Sequence, residues 1–231
     1  MPLQLLPMKE ADVPHYVDIT WAAARGDLMG AMFPNGMFET DRQWLIDDKI
    51  QAMRKHPETT KTMKIVDSDL PDDHSTGKII SVATWKIYPR ERTEEEMEAE
   101  KKEGEERGHA PHASAPMLEA FFSQMGKCKR EIVGKKAVVY LGILMTHPDH
   151  HRRGAGAMQL QWGFDLADEL GLPVYLEASP MGQPLYARCG FETIKVVDFK
   201  PRDWGMDHDI PHVCMLRPAQ MANGHASRLP T

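Results

Sequence analysis

A short glycine-containing segment at residues 147–157 constrains this chain more than any other feature. It joins an apolar run at Ala137–Met145, which predicts a buried strand, to a helical pattern at Ala155–Leu170. Gly154 and Gly156 have no Cβ, so an anion can approach the backbone closely. The first N–H groups of a helix lack intrahelical partners and face such an anion with the positive end of the helix dipole. The segment therefore predicts a phosphate-binding turn between a strand and a helix.

The glycine pattern differs from the two common nucleotide loops. The chain has no G-x-x-x-x-G-K-S/T motif, and Gln159 replaces the third glycine of G-x-G-x-x-G. The pattern resembles the acetyl-CoA loop of the GNAT superfamily of acyl-CoA-dependent N-acyltransferases, usually written Q/R-x-x-G-x-G/A. Gly154 and Gly156 occupy its glycine positions, and His151 stands where the family usually has Gln or Arg. The resemblance implies coenzyme A contacts along the end of the strand and the turn, at Leu144, Met145, Thr146, His151, Arg152, Arg153, Gly154, Ala155, Gly156 and Ala157.

A second motif lies downstream, in the order that the same family has. Val174–Ala178 predicts a short strand, and turn residues follow it. The next residues match the family pattern L-Y-x-x-x-G-F at Leu185, Tyr186, Gly190 and Phe191. The resemblance implies that Tyr186 points at the sulfur of coenzyme A. Ser179 stands where many members have an Asn that touches the pantetheine, and we count it as a candidate coenzyme contact.

Strand and helix patterns alternate along the chain, which predicts an α/β (α+β) fold with helices on both faces of a mixed sheet. The resemblance implies a GNAT-like sheet that is mostly antiparallel, with splayed strands at the coenzyme A site. The splay is expected over Gly142–Met145, with Gly142 as the bulge residue. Gly26–Phe38 is predicted to be a loop. The predicted strands are Leu3–Met8, Thr60–Asp67, Lys78–Tyr88, Ala137–Met145, Val174–Ala178, Glu192–Phe199 and His212–Leu216, and the longer predicted helices are Ala11–Arg25, residues 41–55, Met117–Met125 and Ala155–Leu170.

Length and charge distribution predict one domain over residues 1–218, a charged insertion at 90–114, and a flexible tail at 219–231. Residues 91–107 hold nine acids and four bases, which gives −5 of the net charge of −6. Such a stretch buries no apolar area, so it is predicted to be a solvated insertion. An acidic lid that attracts a cationic amine is the alternative.

Composition excludes several classes of function. The net charge of −6 argues against non-specific nucleic-acid binding. Three widely spaced cysteines without C-x-x-C suggest neither a disulfide framework nor a zinc ribbon. The histidines of segment 147–157 lie beside arginines and are poor metal ligands, so no metal is expected. Without a signal peptide or an apolar run of roughly 18 residues, we expect a cytoplasmic protein that does not bind membranes. Oligomeric state stays open, and a homodimer is one option.

Acetyl transfer to an amine needs a proton donor for the leaving thiolate and a donor for the charge on the thioester oxygen. Tyr186 suits the first role, because a phenol is protonated at neutral pH. Packing in the core is the alternative role for Tyr186. The backbone N–H of Leu144 or Met145 is the candidate for the second role.

The base that takes the proton of the amine is less well defined, since the strand Ala137–Met145 carries no carboxylate. Glu177 is the first candidate, because it lies on the strand predicted beside the splay. A structural role is its alternative. His212 and Asp27 are further candidates, and a relay of water molecules without a dedicated base stays open.

These features predict an acyl-CoA-dependent N-acetyltransferase that moves an acetyl group from acetyl-CoA to the amine of a small molecule. Direct transfer in a ternary complex is expected, because Cys189 is the only nearby thiol and no His/Asp pattern activates it. Two alternatives stay open: an N-acetyltransferase that acts on proteins or peptides, and a catalytically silent module that binds coenzyme A. Trp85, on a predicted strand, is expected either to line the acceptor pocket or to pack in the core.

Overall fold

A seven-stranded sheet forms the centre of the molecule, in a computed structural model that describes residues 3–71 and 78–220. The strand order is β1-β2-β3-β4-β5-β7-β6. Every neighbouring pair is antiparallel except β4 and β5, which confirms the predicted mixed and mostly antiparallel sheet. The strands are β1 Leu3–Pro7, β2 Thr60–Asp67, β3 Ile79–Tyr88, β4 Val138–Thr146, β5 Val174–Ala178, β6 Glu192–Val196 and β7 Val213–Arg217.

Helices cover both faces of the sheet, as predicted. Their bounds are α1 Val13–Ala24, α2 Leu28–Met32, α3 Glu39–Lys55, α4 Glu94–Glu106, α5 Ala115–Ile132, α6 Ala155–Leu170 and α7 Gln183–Arg188. The prediction of a continuous loop over Gly26–Phe38 is wrong, because Asp27 accepts a hydrogen bond from the Leu28 N–H and starts the short α2. Helix α5 is longer than predicted at both ends. The predicted tail lies outside the described residues from position 221 onward.

A bulge in β4 changes the pairing at the middle of the sheet. Trp85 of β3 lies opposite Leu141, whereas the preceding Thr84 lies opposite Ile143. The extra residue is Gly142, as predicted, and it is exposed although its strand is fourth of seven. The parallel pairing of β4 with β5 ends at Leu141, so the rest of β4 has an open edge. The splay therefore begins at the bulge.

Helix α6 packs tightly on the face of the sheet beside this splay. Trp85 is fully buried there, and a Cβ built on Gly163 would come within 2.2 Å of the Trp85 ring. Leu160 and Phe164 of α6 belong to the same buried cluster. Of the two roles left open for Trp85, packing in the core is confirmed.

The charged insertion forms α4, none of whose residues is buried. It is nevertheless tied to the sheet through one carboxylate. Glu100 accepts hydrogen bonds from Lys86 at 3.0 Å, from Tyr88 at 2.6 Å and from Arg92 at 3.1 Å. Burial raises the pKa of Glu100, but nearby Lys129 and Lys86 outweigh burial and lower the pKa to about 2. The helix is solvated along its length, as predicted, and anchored at its middle.

The close contact between Gly163 and Trp85 generates a stability prediction. Gly163→Ala should lower the free energy of unfolding by about 1–3 kcal/mol, because the added methyl group overpacks the core. The control is Gly104→Ala in α4, where an added Cβ would meet no atom within 4 Å. This substitution should raise the free energy of unfolding by up to about 1 kcal/mol, because Ala favours the helix more than Gly does. Urea unfolding followed by circular dichroism measures both. A Gly163→Ala protein as stable as the wild type would contradict the packing described.

Candidate active site

The predicted phosphate-binding turn has the backbone geometry of an anion site. Arg152 and Gly154 adopt positive φ angles of 60° and 87°. A residue other than glycine holds this conformation only when its surroundings impose it. The first hydrogen bond inside α6 runs from the Met158 N–H to the Gly154 C=O at 3.0 Å. The N–H groups of residues 155–157 therefore have no partner within the helix, and the turn fits a pyrophosphate.

The two arginines of the turn have different surroundings. Arg153 donates to Asp67 of β2 over 2.6 Å, and the Asp67 side chain is 2% exposed. Burial raises the pKa of Asp67, but the Arg153 guanidinium and the Asp69 N–H outweigh it and hold the pKa below its usual value. Arg152 is exposed, and we find no ion pair for it within the described part of the chain. Arg153 therefore fastens the turn to β2, whereas Arg152 keeps its charge at the surface of the turn.

His151 connects the turn to the end of β4. Its Nε2 lies 3.0 Å from the carbonyl oxygen of Thr146. A carbonyl oxygen can only accept, so Nε2 carries the proton in this bond. The predicted coenzyme contact at His151 is thus held in position by the strand that carries the open edge.

The alternation of the β3–β4 ladder decides which backbone groups face the open edge of β4. Just beyond β4, the His147 N–H donates to the Ile80 C=O of β3 at 2.9 Å. Successive residues of a strand point their N–H groups in opposite directions, so Met145 faces β3 and Leu144 faces the open edge. Of the two predicted donors to the thioester oxygen, Leu144 is thus the one whose N–H faces the open edge.

Tyr186 lies on α7 beside the splayed strands. Its ring belongs to the buried cluster that contains Ala178 of β5 and against which Leu144 packs, and the residue is 8% exposed. Burial raises the pKa of the Tyr186 phenol, so the hydroxyl keeps its proton at neutral pH. No protein group among the described residues hydrogen-bonds this hydroxyl, which leaves its proton available to a ligand. Ser179 accepts from the Gly182 N–H at 3.3 Å and holds the turn before α7.

Glu177 lies one residue beyond the last β4–β5 pair. Its Oε2 accepts from the Tyr140 hydroxyl at 2.9 Å, and its Oε1 is buried without a hydrogen-bond partner. Burial raises the pKa of Glu177, and the bond from Tyr140 opposes that shift. A buried carboxylate with a raised pKa holds a proton more readily than an ordinary carboxylate does, which suits a proton acceptor.

The two further base candidates have other roles in the structure. Asp27 accepts from the Leu28 N–H at 2.6 Å at the start of α2. His212 packs edge-on against Phe121 at 5.4 Å, and burial lowers the pKa of its ring. Asp27 thus begins α2, and its charge opposes the lowered pKa of His212. The lowered pKa favours the neutral ring, which is the form that can accept a proton, so His212 stays a candidate base.

Lys49 of α3 is a candidate that the sequence patterns did not single out. Its Nζ donates to the Thr84 hydroxyl at 2.8 Å and lies 4.5 Å from the centre of the Tyr16 ring. A signal was available, because Lys49 follows Ile46 by three residues and precedes Met53 by four, on the apolar stripe of the helix. A lysine on such a stripe is an exception that needs a reason.

Within residues 3–71 and 78–220, no group of three or more His, Cys, Asp or Glu side chains is placed to hold a metal ion. No helix in the same ranges is both long and apolar enough to span a bilayer.

Comparisons with known proteins agree with this fold. No family model matches the chain. A 43-residue segment is 40% identical to the probable acyltransferase SID5 of Ajellomyces capsulatus, and it spans 32% of that protein and 19% of this chain. Arylalkylamine N-acetyltransferase 2 of Aedes aegypti superimposes with a TM-score of 0.65 at 12% identity, over 95% of this chain and 100% of that one. YncA of Salmonella typhimurium, solved with its cofactor acetyl-CoA, superimposes with a TM-score of 0.56 at 11% identity over the whole of both chains.

The turn at the start of α6 generates a binding prediction. Gly154→Asp should weaken acetyl-CoA binding at least tenfold relative to Gly154→Asn, about 1.4 kcal/mol, because it places a carboxylate at the anion site. Asn and Asp tolerate positive φ to a similar degree, so the pair isolates charge from backbone strain. Isothermal titration calorimetry measures both affinities. Equal affinities in two folded variants would rule out this turn as the pyrophosphate site.

Proposed function

The chain has the fold of the GNAT acetyltransferases, and on this basis we propose that it transfers an acetyl group from acetyl-CoA to an amine. One observation supports the proposal most directly. The strand with an open edge, β4, leads straight into the anion-binding turn of α6. This single stretch of chain offers backbone groups to the amides of a pantetheine arm and free N–H groups to its pyrophosphate.

The residues beside the splay suit direct transfer. Acetyl-CoA supplies the acetyl group as an activated thioester. The Leu144 N–H, fixed by the β3–β4 ladder, is placed to donate to the thioester oxygen as negative charge develops there. The Tyr186 hydroxyl then gives its proton to the thiolate that leaves.

Glu177 is the proposed base. Its carboxylate takes a proton from the amine, directly or through one water molecule, while the Tyr140 hydroxyl holds its other oxygen. The raised pKa supports this role, because it makes the Glu177 carboxylate a stronger base than an ordinary carboxylate.

A small-molecule amine is the proposed acceptor. The acetyl group passes to it directly from acetyl-CoA, without an acyl-enzyme intermediate. The arylalkylamine N-acetyltransferase of Aedes aegypti shows that this fold can carry a site for a small amine. The test is a panel of arylalkylamines, amino acids, aminoglycosides and short peptides with acetyl-CoA, followed by release of free thiol and by mass spectrometry of the products. Acetylation of peptides alone would favour a protein-modifying enzyme. Tight coenzyme binding without turnover of any amine would favour a silent coenzyme-binding module.

The role of Tyr186 generates a kinetic prediction. Tyr186→Phe should lower kcat by roughly 10²-fold with little change in the KM for acetyl-CoA, because the hydroxyl acts as the thiolate leaves. Stopped-flow measurement of the chemical step and thermal unfolding of the same protein check this. An unchanged kcat would show that Tyr186 packs in the core and donates no proton. A joint loss of thermal stability and coenzyme binding would also indicate a packing role.

The role of Glu177 generates a pH prediction. Glu177→Gln keeps an acceptor for the Tyr140 hydroxyl but cannot take up a proton, so kcat at pH 7 should fall by roughly 10²-fold or more. Wild-type activity should rise with pH through the raised pKa of Glu177, because the ionised form is the base, and this limb should vanish in the variant. The ratio of wild-type to variant kcat between pH 5 and 9 measures the effect. A ratio near one across the range would indicate transfer through water without a dedicated base.

A further inference from the structure

Lys49 lies almost buried above the middle of the sheet, with 9% of the residue exposed. It reaches from α3 to Thr84, the β3 residue opposite Ile143, which immediately follows the Gly142 bulge. The Tyr16 hydroxyl of α1 shares the same Thr84 oxygen at 3.2 Å. The ammonium is therefore held next to the splayed part of β4 by side chains from two other elements.

No carboxylate within the described ranges forms an ion pair with Lys49, which is unusual for a lysine this buried. The charged groups that face it are already engaged with others: Arg107 with Asp48, and Lys86 with Glu100. Burial, together with the nearby charges of Arg107 and Lys86, lowers the pKa of Lys49 to about 7, although Asp48 opposes this shift. Lys49 thus adds a positive charge that no carboxylate of the described residues neutralises.

Lys49 and Glu177 lie on the same face of the sheet. Thr84 and Tyr88 are four residues apart on β3, so their side chains share a face. Tyr88 packs in the cluster that also contains Tyr140, the partner of Glu177. Because β4 lies between β3 and β5, two strand spacings of about 4.8 Å separate Thr84, which holds Lys49, from the β5 position of Glu177, and the splay widens this distance.

This separation argues against Lys49 as the base. A base must lie within hydrogen-bond reach of the reacting amine, directly or through one water molecule. The open edge of β4 faces β5, so Lys49 lies about one strand further from the thioester than Glu177 does. Lys49 is instead placed to contact another group of the acceptor.

We propose that Lys49 binds an anionic group of the acceptor, so that the substrate is an amino acid or a similar amine with a carboxylate a few bonds from its nitrogen. Glu177 faces the amine, and Lys49 faces the carboxylate. The inference rests on the proposed acetyl transfer and adds the class of acceptor to it.

The test compares matched acceptors, each an amino acid and its carboxamide, in wild type and in Lys49→Met. The wild type should have a higher kcat/KM for the acid when both are corrected to their free-amine concentrations. Lys49→Met should lower the acid-to-amide ratio at least tenfold, mostly through the KM for the acid, because the charge-assisted hydrogen bond is lost. Comparing this ratio between proteins cancels the different pKa values of the two amines. Lys49→Arg keeps the charge and should retain part of the preference.

Lys55→Met is the matched control, since Lys55 lies on the same helix, is 58% exposed and pairs with Glu103. It should leave the ratio unchanged. Lys49→Met should fold, because an apolar side chain of similar length replaces an unpaired buried charge. If Lys49→Met does not fold, the acid-to-amide ratio of kcat/KM in the wild type tests the inference, because a preference for amides would contradict it.

The outcomes separate this inference from the proposed function. Wild-type turnover that prefers amides overturns the inference and leaves acetyl transfer intact. An equal loss for acid and amide in Lys49→Met also overturns it, and indicates a base or a structural lysine. Absence of turnover with every amine contradicts the proposed function itself.

Discussion

The end of hydrogen bonding between β4 and β5 at Leu141 and Leu176 is the constraint on which the rest of the site depends. Backbone N–H and C=O groups left without partners in a buried place would cost about 1–3 kcal/mol each. At the splay these groups border solvent, as the exposed Gly142 shows, so they are open to water and to ligands. A ligand rich in amide groups can replace that water, which is the chemistry of a pantetheine arm. The rigid packing of Trp85 against Gly163 keeps the sheet intact around this opening.

The local features of the site could be predicted from the sequence because they depend on neighbours along the chain. Helix α6 and strand β5 have the predicted bounds, since apolar periodicity and flanking glycine or proline define both. The bulge at Gly142 was also predictable, because a glycine in a buried strand is otherwise unfavourable. These elements place the predicted contacts of residues 151–157 at the start of one helix.

The remaining features depend on contacts between residues distant in sequence. Arg153 and Asp67 are 86 positions apart, and only their pairing shows that Arg153 is a fastening residue while Arg152 is free. The choice of Leu144 over Met145 follows from the direction of the ladder beyond the bulge, which periodicity alone does not provide. Lys49 was missed because its partner Thr84 belongs to another element, 35 positions away.

Two polar groups on one face of the sheet lack part of their possible partners, and one is acidic whereas the other is basic. Glu177 has a buried oxygen without a partner, and Lys49 has a buried ammonium without a counterion. Each costs folding free energy in the absence of ligand, because neither desolvated group is fully compensated. A ligand with an amine at one end and an acid at the other would compensate both at once, and its binding would recover part of that cost. The same groups that destabilise the empty site would then discriminate against amines lacking the acid, since such amines would leave Lys49 buried and unpaired.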